Sequence, residues 1–195
     1  MRKAYSYAEA EPLFKRSLAI REKTLGPEHP DVAVSLNNLA ELYRVQGRYT
    51  QAELLLRRAF AILERALGSE HPLVATSLNH LANLFQATTR LSDAEPLMRR
   101  ALQIYEKCYG HDHPDVATIL NNLATLLQAT NRLSDAEPLF RRALAIREKA
   151  LGPEHPNVAT CLENYAVLLL NMDRLEEAGR LEARAMAIRA KKRRN

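Results

Sequence analysis

The chain has 195 residues, 47% of them apolar and 26% charged, a balance that excludes a disordered or collagen-like chain, and no apolar run approaches the ~18 residues that span a bilayer. Two cysteines, Cys108 and Cys161, are too few for a disulfide framework, so a reduced, cytoplasmic setting is expected. The formal net charge of +5 belongs mostly to the tail: Lys191, Lys192, Arg193 and Arg194 stand in the last five positions, and without them 24 basic residues face 23 acidic ones.

The first predicted element is a helix over 1–25 with apolar positions at Ala10, Leu13, Phe14, Leu18 and Ile20. It ends at Gly26-Pro27-Glu28-His29-Pro30, and this connector returns every 42 residues, with Gly68, Gly110 and Gly152 opening the later copies. A second marker, Asn37-Asn38-Leu39-Ala40, keeps the same step as Asn79-His80-Leu81-Ala82, Asn121-Asn122-Leu123-Ala124 and Glu163-Asn164-Tyr165-Ala166. Self-similarity at one fixed period marks a stack of supersecondary units. Four full repeats are expected over 26–67, 68–109, 110–151 and 152–193, preceded by the second half of a truncated one.

Each repeat reads as two helices. The first runs from Pro30 to Gln46 with apolar residues at Val32, Leu36, Leu39, Ala40 and Tyr43, spaced three or four apart. Pro30 suits the first helical turn, where a missing N–H loses no partner. Gly47 ends that helix, and the second continues to Leu67 on an apolar face of Ala52, Leu55, Leu56, Ala59, Ile62 and Leu63. Gly68 then closes it as the residue able to take positive φ. The recurring alanines predict close packing of antiparallel helices.

The Leu39-Ala40-Tyr43-Gly47-Ala52-Ala59 skeleton resembles the tetratricopeptide repeat. The 42-residue variant, with its Gly-Pro-Glu-His-Pro connector and Leu-Asn-Asn-Leu-Ala signature, is similar to the kinesin light chain type. That resemblance implies an all-α, right-handed superhelical solenoid of helix-turn-helix repeats with about nine helices. It also implies a concave groove, lined by the first helices, that holds a partner's peptide or helix. The family's groove positions fall on Asn37, Asn38, Asn79, His80, Asn121, Asn122 and Asn164, with Glu163 in one place. A turn later come Glu41, Asn83, Thr125 and Val167, then Arg44, Gln86, Gln128 and Leu170. An arginine near the end of the second helix is carried across as Arg21, Arg147 and Arg189, and is replaced by Leu63 and Tyr105. Val34, Thr76, Thr118 and Thr160 stand where the family sometimes has lysine, so this groove is expected to be less basic than a light chain's.

Helical phase gives an independent argument. Positions 37, 41, 44 and 45 share one side of the first helix, and across repeats that side offers amides, which carry donors and acceptors for a peptide backbone. Asparagine is costly mid-helix unless it bonds something. The competing reading is that one Asn of each pair bonds the neighbouring repeat and sets its spacing, a role expected of Asn38, Asn122 and Asn164 before Asn37, Asn79 and Asn121.

No nucleophile, phosphate-loop or metalloprotease motif is present in the sequence, and repetition argues against the single asymmetric constellation that catalysis needs. His29, His71, His113 and His155 recur before proline and are expected to cap helices or pack loops. The expected function is therefore non-catalytic, with no cofactor and no metal: a scaffold whose partner is a protein or peptide ligand in the groove. The exposed opening helix adds a route to self-association. Two other readings stay open: a sensor or assembly segment of a larger bacterial signalling protein, and nucleic-acid binding through the basic tail at 190–195, against which stands the plainer reading of cations at a helix end.

Overall fold

The computed structural model describes the backbone of residues 2–194 and the side chains of residues 9–191, so most of the basic tail lies outside the described residues. Among the described residues the expected nine helices are present and no strand is: α1 (Arg2–Leu25), α2 (Pro30–Val45), α3 (Tyr49–Leu67), α4 (Pro72–Ala87), α5 (Leu91–Tyr109), α6 (Pro114–Ala129), α7 (Leu133–Leu151), α8 (Pro156–Asn171) and α9 (Leu175–Arg194). The chain divides into two compact units, residues 1–104 and 105–195.

The even-numbered helices begin alike, for a reason read directly from their connectors. His29, His71, His113 and His155 are N-caps in extended backbone, each followed by proline at the first helical position. Their Nδ1 atoms accept the N–H of Asp31, Leu73, Asp115 and Asn157 at 3.1–3.2 Å. A cap of this kind satisfies one of the N–H groups that a helix start leaves without an intrahelical partner. The recurrent histidines thus cap helices, as their position before proline predicts.

The first-helix C-terminus needs a left-handed residue. Gly47 supplies it with φ 76°, but Thr89, Asn131 and Asp173 hold the same place at φ 58–61°. Asn and Asp tolerate that region, whereas a β-branched threonine is strained there.

Within the first unit the core lies between α2, α3 and α4. Ala40, Ala52 and Ala59 are wholly buried and let the helices approach, while Leu36, Leu56 and Leu63 fill the remaining space. Each large apolar side chain buried in this way contributes about 1.5–3 kcal/mol. In the second unit Ala124, Ala136 and Ala143 repeat the close approach, with Leu120, Leu123 and Phe140 between them.

The second helices are tied to each other by a repeated set of charges. Glu22–Arg58 and Glu64–Arg100 in the first unit, and Glu106–Arg142 and Glu148–Arg184 in the second, pair at 2.5–2.7 Å. A second set joins Arg48 to Glu11 at 2.8 Å, Arg90 to Glu53 at 3.0 Å and Arg174 to Glu137 at 2.7 Å. Hydrogen bonds from Lys15 and Arg48 hold the Glu11 carboxyl down to about 2. Hydrogen bonding by Arg174 likewise lowers Glu137. Burial pushes Glu53 up, but Arg57 and Arg90 outweigh it and keep that carboxyl below its ordinary value. Lys191, the first cation of the tail, pairs with Glu154.

Candidate docking surface

Asn37 and Asn121, expected on the groove side, bond the neighbouring repeat, and Asn164 bonds it as expected. In the first unit Asn37 is 4% exposed, and its Oδ1 accepts the Ser77 hydroxyl of α4 at 3.3 Å. In the second, Asn121 is 6% exposed, and its Oδ1 accepts Asn164 Nδ2 at 3.2 Å and Cys161 Sγ at 3.6 Å from α8. Asn37 and Asn121 are therefore sealed between successive first helices and do not line an open face. Burial pushes the Cys161 thiol up, against the pull of Arg147.

The following residue points elsewhere. Asn38 is exposed and lines a cleft of about 610 Å³ with Glu41, Leu42 and Val45 of α2, Ala10 and Phe14 of α1, and His80 of α4. The lining positions on α2 are thus 38, 41, 42 and 45. One residue on a helix is a rotation of about 100°, and that step separates Asn37, turned toward α4, from Asn38, turned toward the cleft. Glu41 is chelated by Arg44 through two hydrogen bonds, Nε to Oε2 at 2.8 Å and Nη2 to Oε1 at 2.6 Å. His80 is half-buried, and its Nδ1 is closed to solvent with no hydrogen-bond partner. Burial lowers its pKa, Glu41 opposes that, and Arg44 reinforces it.

Asn79, Asn83 and Gln86 on α4 are half-buried, as are Asn122 and Gln128 on α6 and Asn164 on α8. At the α8 places that correspond to Glu41 and Arg44 stand Val167 and Leu170, both exposed.

Two of the arginines expected in the groove join helices to each other. Arg21 donates from Nη1 to the Asp31 carbonyl at 3.2 Å and to Ser35 Oγ at 2.6 Å, so it fastens α1 to α2. Arg147 is 8% exposed and donates to the Asn157 carbonyl at 3.1 Å, Cys161 Sγ at 3.0 Å and Thr118 Oγ1 at 3.3 Å. Arg21 thus joins a second helix to the helix that follows it, and Arg147 joins α7 to both α6 and α8. Ala10 and Phe14 were missed as site residues because their spacing marks them as core; Leu42 was not singled out, and Val45 was placed on the groove side only by helical phase. The one available signal was Val45 itself, where the other repeats have Ala87, Ala129 and Asn171.

Among the described residues no three of His, Cys, Asp and Glu converge on a metal site, and no helix is long and apolar enough to cross a membrane.

Helical hairpins repeated at a 42-residue step, capped and spaced in the same way each time, define a helical-repeat protein. The family model for the tetratricopeptide repeat matches residues 6–65, 35–107, 73–149 and 135–191. The chain belongs to that family, whose repeats serve as protein–protein interaction scaffolds. Among solved structures it is similar to BtubC (BKLC) from P. vanneervenii, at 27% identity and a TM-score of 0.80, over 98% of this chain and 76% of that one. It is also similar to the nearly identical TPR-like repeats assigned to a kinesin light chain of Podosopora anserina, at 30% identity and a TM-score of 0.73, over 99% of this chain and 92% of that one. Aspartyl phosphate phosphatase F from Bacillus subtilis shares the fold, at 17% identity and a TM-score of 0.77, over 97% of this chain and 49% of that one. No curated protein matches the chain significantly.

Proposed function

We propose that this chain is a non-catalytic docking module that holds a partner's peptide or helix in the cleft of its first unit, in the manner of a kinesin light chain. The observation that carries this reading is the cleft itself: an apolar floor of Ala10, Phe14, Leu42 and Val45 with Asn38, Glu41 and His80 at its edge. Binding pockets have this composition, in which apolar burial supplies affinity and a few polar groups fix orientation. Glu41 and its chelating Arg44 present a neutral pair, so acidic peptides gain no advantage here.

Selection of peptides from a displayed library on the intact chain tests the reading. Binders are expected to lose at least tenfold in affinity on Val45→Asp and to be unaffected by Glu154→Ala, which lies on a connector. Binders insensitive to Val45→Asp and to Asn38→Ala would remove the cleft from consideration. Affinity for DNA or RNA that disappears on deletion of residues 191–195 would instead favour the tail.

A further inference from the structure

At the place filled by Asn38, Asn122 and Asn164 in the other repeats, α4 carries His80. In the second unit this place spaces the repeats, because Asn164 Nδ2 donates to Asn121 Oδ1 of the preceding first helix at 3.2 Å. In the first unit the corresponding acceptor, Asn37 Oδ1, takes the Ser77 hydroxyl at 3.3 Å, and His80 Nδ1 is enclosed with no partner. An amide with a structural bond has thus been replaced by a titratable ring that lacks one, at the contact between α2 and α4.

The electrostatic surroundings of that ring come from α2. Helix α4 has no charged side chain of its own besides His80. Among the described residues Glu41 and Arg44 are the charges that act on His80, and none on α1, α3 or α5 does. Burial lowers the pKa of His80 below the ordinary 6.5, with Glu41 opposing and Arg44 reinforcing, so the ring is neutral at neutral pH and takes its proton in acid. While it is neutral, both oxygens of Glu41 are held by Arg44, at 2.8 and 2.6 Å. These two side chains stand three residues apart on one helix and are 40% and 29% exposed. A surface pair of that kind contributes little, so a competing cation has little to displace. Glu41 and His80 border the same cleft, which puts the imidazolium beside that carboxylate. Protonation changes the sum of the three charges from zero to +1.

We infer that His80 gates the charge of the first unit's groove: once protonated it draws Glu41 away from Arg44, and the freed guanidinium together with the imidazolium accepts a carboxylate of an acidic peptide. The inference rests on the docking reading above and adds its regulation. Helices α2 and α4 supply every group it uses, so it is independent of what covers α1. An acidic peptide gains nothing from this groove at neutral pH and gains in acid. By linkage, the bound carboxylate also makes His80 easier to protonate.

The test measures fluorescence anisotropy on the intact chain with two labelled, end-capped synthetic peptides, Leu-Asp-Asp-Leu-Asp-Asp and Leu-Asn-Asn-Leu-Asn-Asn. It is run at about pH 7.5 and about pH 5.5, where aspartate stays ionised and histidine titrates; circular dichroism checks that the chain is folded at both. The aspartate peptide is expected to bind about fivefold more tightly at the lower pH, and the asparagine peptide to show no gain. His80→Asn and Arg44→Gln should each remove the gain, and nitrogen NMR of His80 should show its proton arriving over the same range. Equal affinity of the aspartate peptide at the two pH values would overturn the inference, as would a gain retained in His80→Asn or a ring that stays neutral throughout. Each of those results leaves the docking reading intact. If neither peptide binds at either pH the inference falls, and the docking reading falls with it only if the displayed library also yields no binder sensitive to Val45→Asp.

Discussion

Residues that occupy the same place in successive repeats do different things, and the differences are measurable. Thr89 holds the left-handed position that Gly47 fills in the preceding repeat. Thr89→Gly is expected to raise stability by about 0.5–1 kcal/mol, the relief of backbone strain being partly offset by the greater freedom of glycine in the unfolded chain; a shift of the denaturant midpoint checks it. His80 stands where α8 has Asn164, which donates to the buried Asn121, yet His80 Nδ1 is enclosed without a partner. His80→Asn should let α4 donate to Asn37 and add about 1 kcal/mol, again read from the midpoint. A fall in stability would show that the ring's packing outweighs the lost hydrogen bond.

At the scale of the helices, charge pairs join neighbours that apolar packing has already brought together. Glu11, Glu53 and Glu137 all have carboxyls lowered from an ordinary 4.5, with Glu11 at about 2. A carboxylate whose pKa is depressed by folding contributes stability that is complete above the ordinary value and is lost as pH falls through the folded one. Melting temperature is therefore expected to fall between about pH 4.5 and pH 2, and to fall less in Glu11→Gln. These groups are partly exposed, so solvent screening keeps each pair's contribution small, and a flat melting profile across that window would show the pairs to be energetically silent. Much at this scale was legible in the sequence. The 42-residue step gave helix number, and His-Pro and Gly gave the ends, because capping is local chemistry. The site was less legible. A groove residue and a spacer residue are adjacent in sequence and both asparagine, and the 100° that separates them matters only once a neighbouring helix fixes which side is inside. Arg21 and Arg147 were misplaced for a related reason: their partners are a carbonyl and a hydroxyl or thiol of the next helix, which no pattern within one helix reveals.

For the molecule, the family relationship establishes the helical-repeat scaffold, and the docking proposal places its action in the cleft beside α1. The central claim is that the Asn37–Asn38 pair separates two roles, Asn37 spacing the repeats and Asn38 facing a ligand. The direct measurement compares Asn37→Ala with Asn38→Ala in the intact chain, following the thermal melt and the binding of a selected or synthetic ligand side by side. Asn37→Ala is expected to cost about 1–3 kcal/mol, since it deprives the buried Ser77 hydroxyl of its acceptor. Asn38→Ala should leave the melt nearly unchanged and weaken binding about tenfold. The reverse pattern, with stability lost at Asn38 and binding lost at Asn37, would contradict the account.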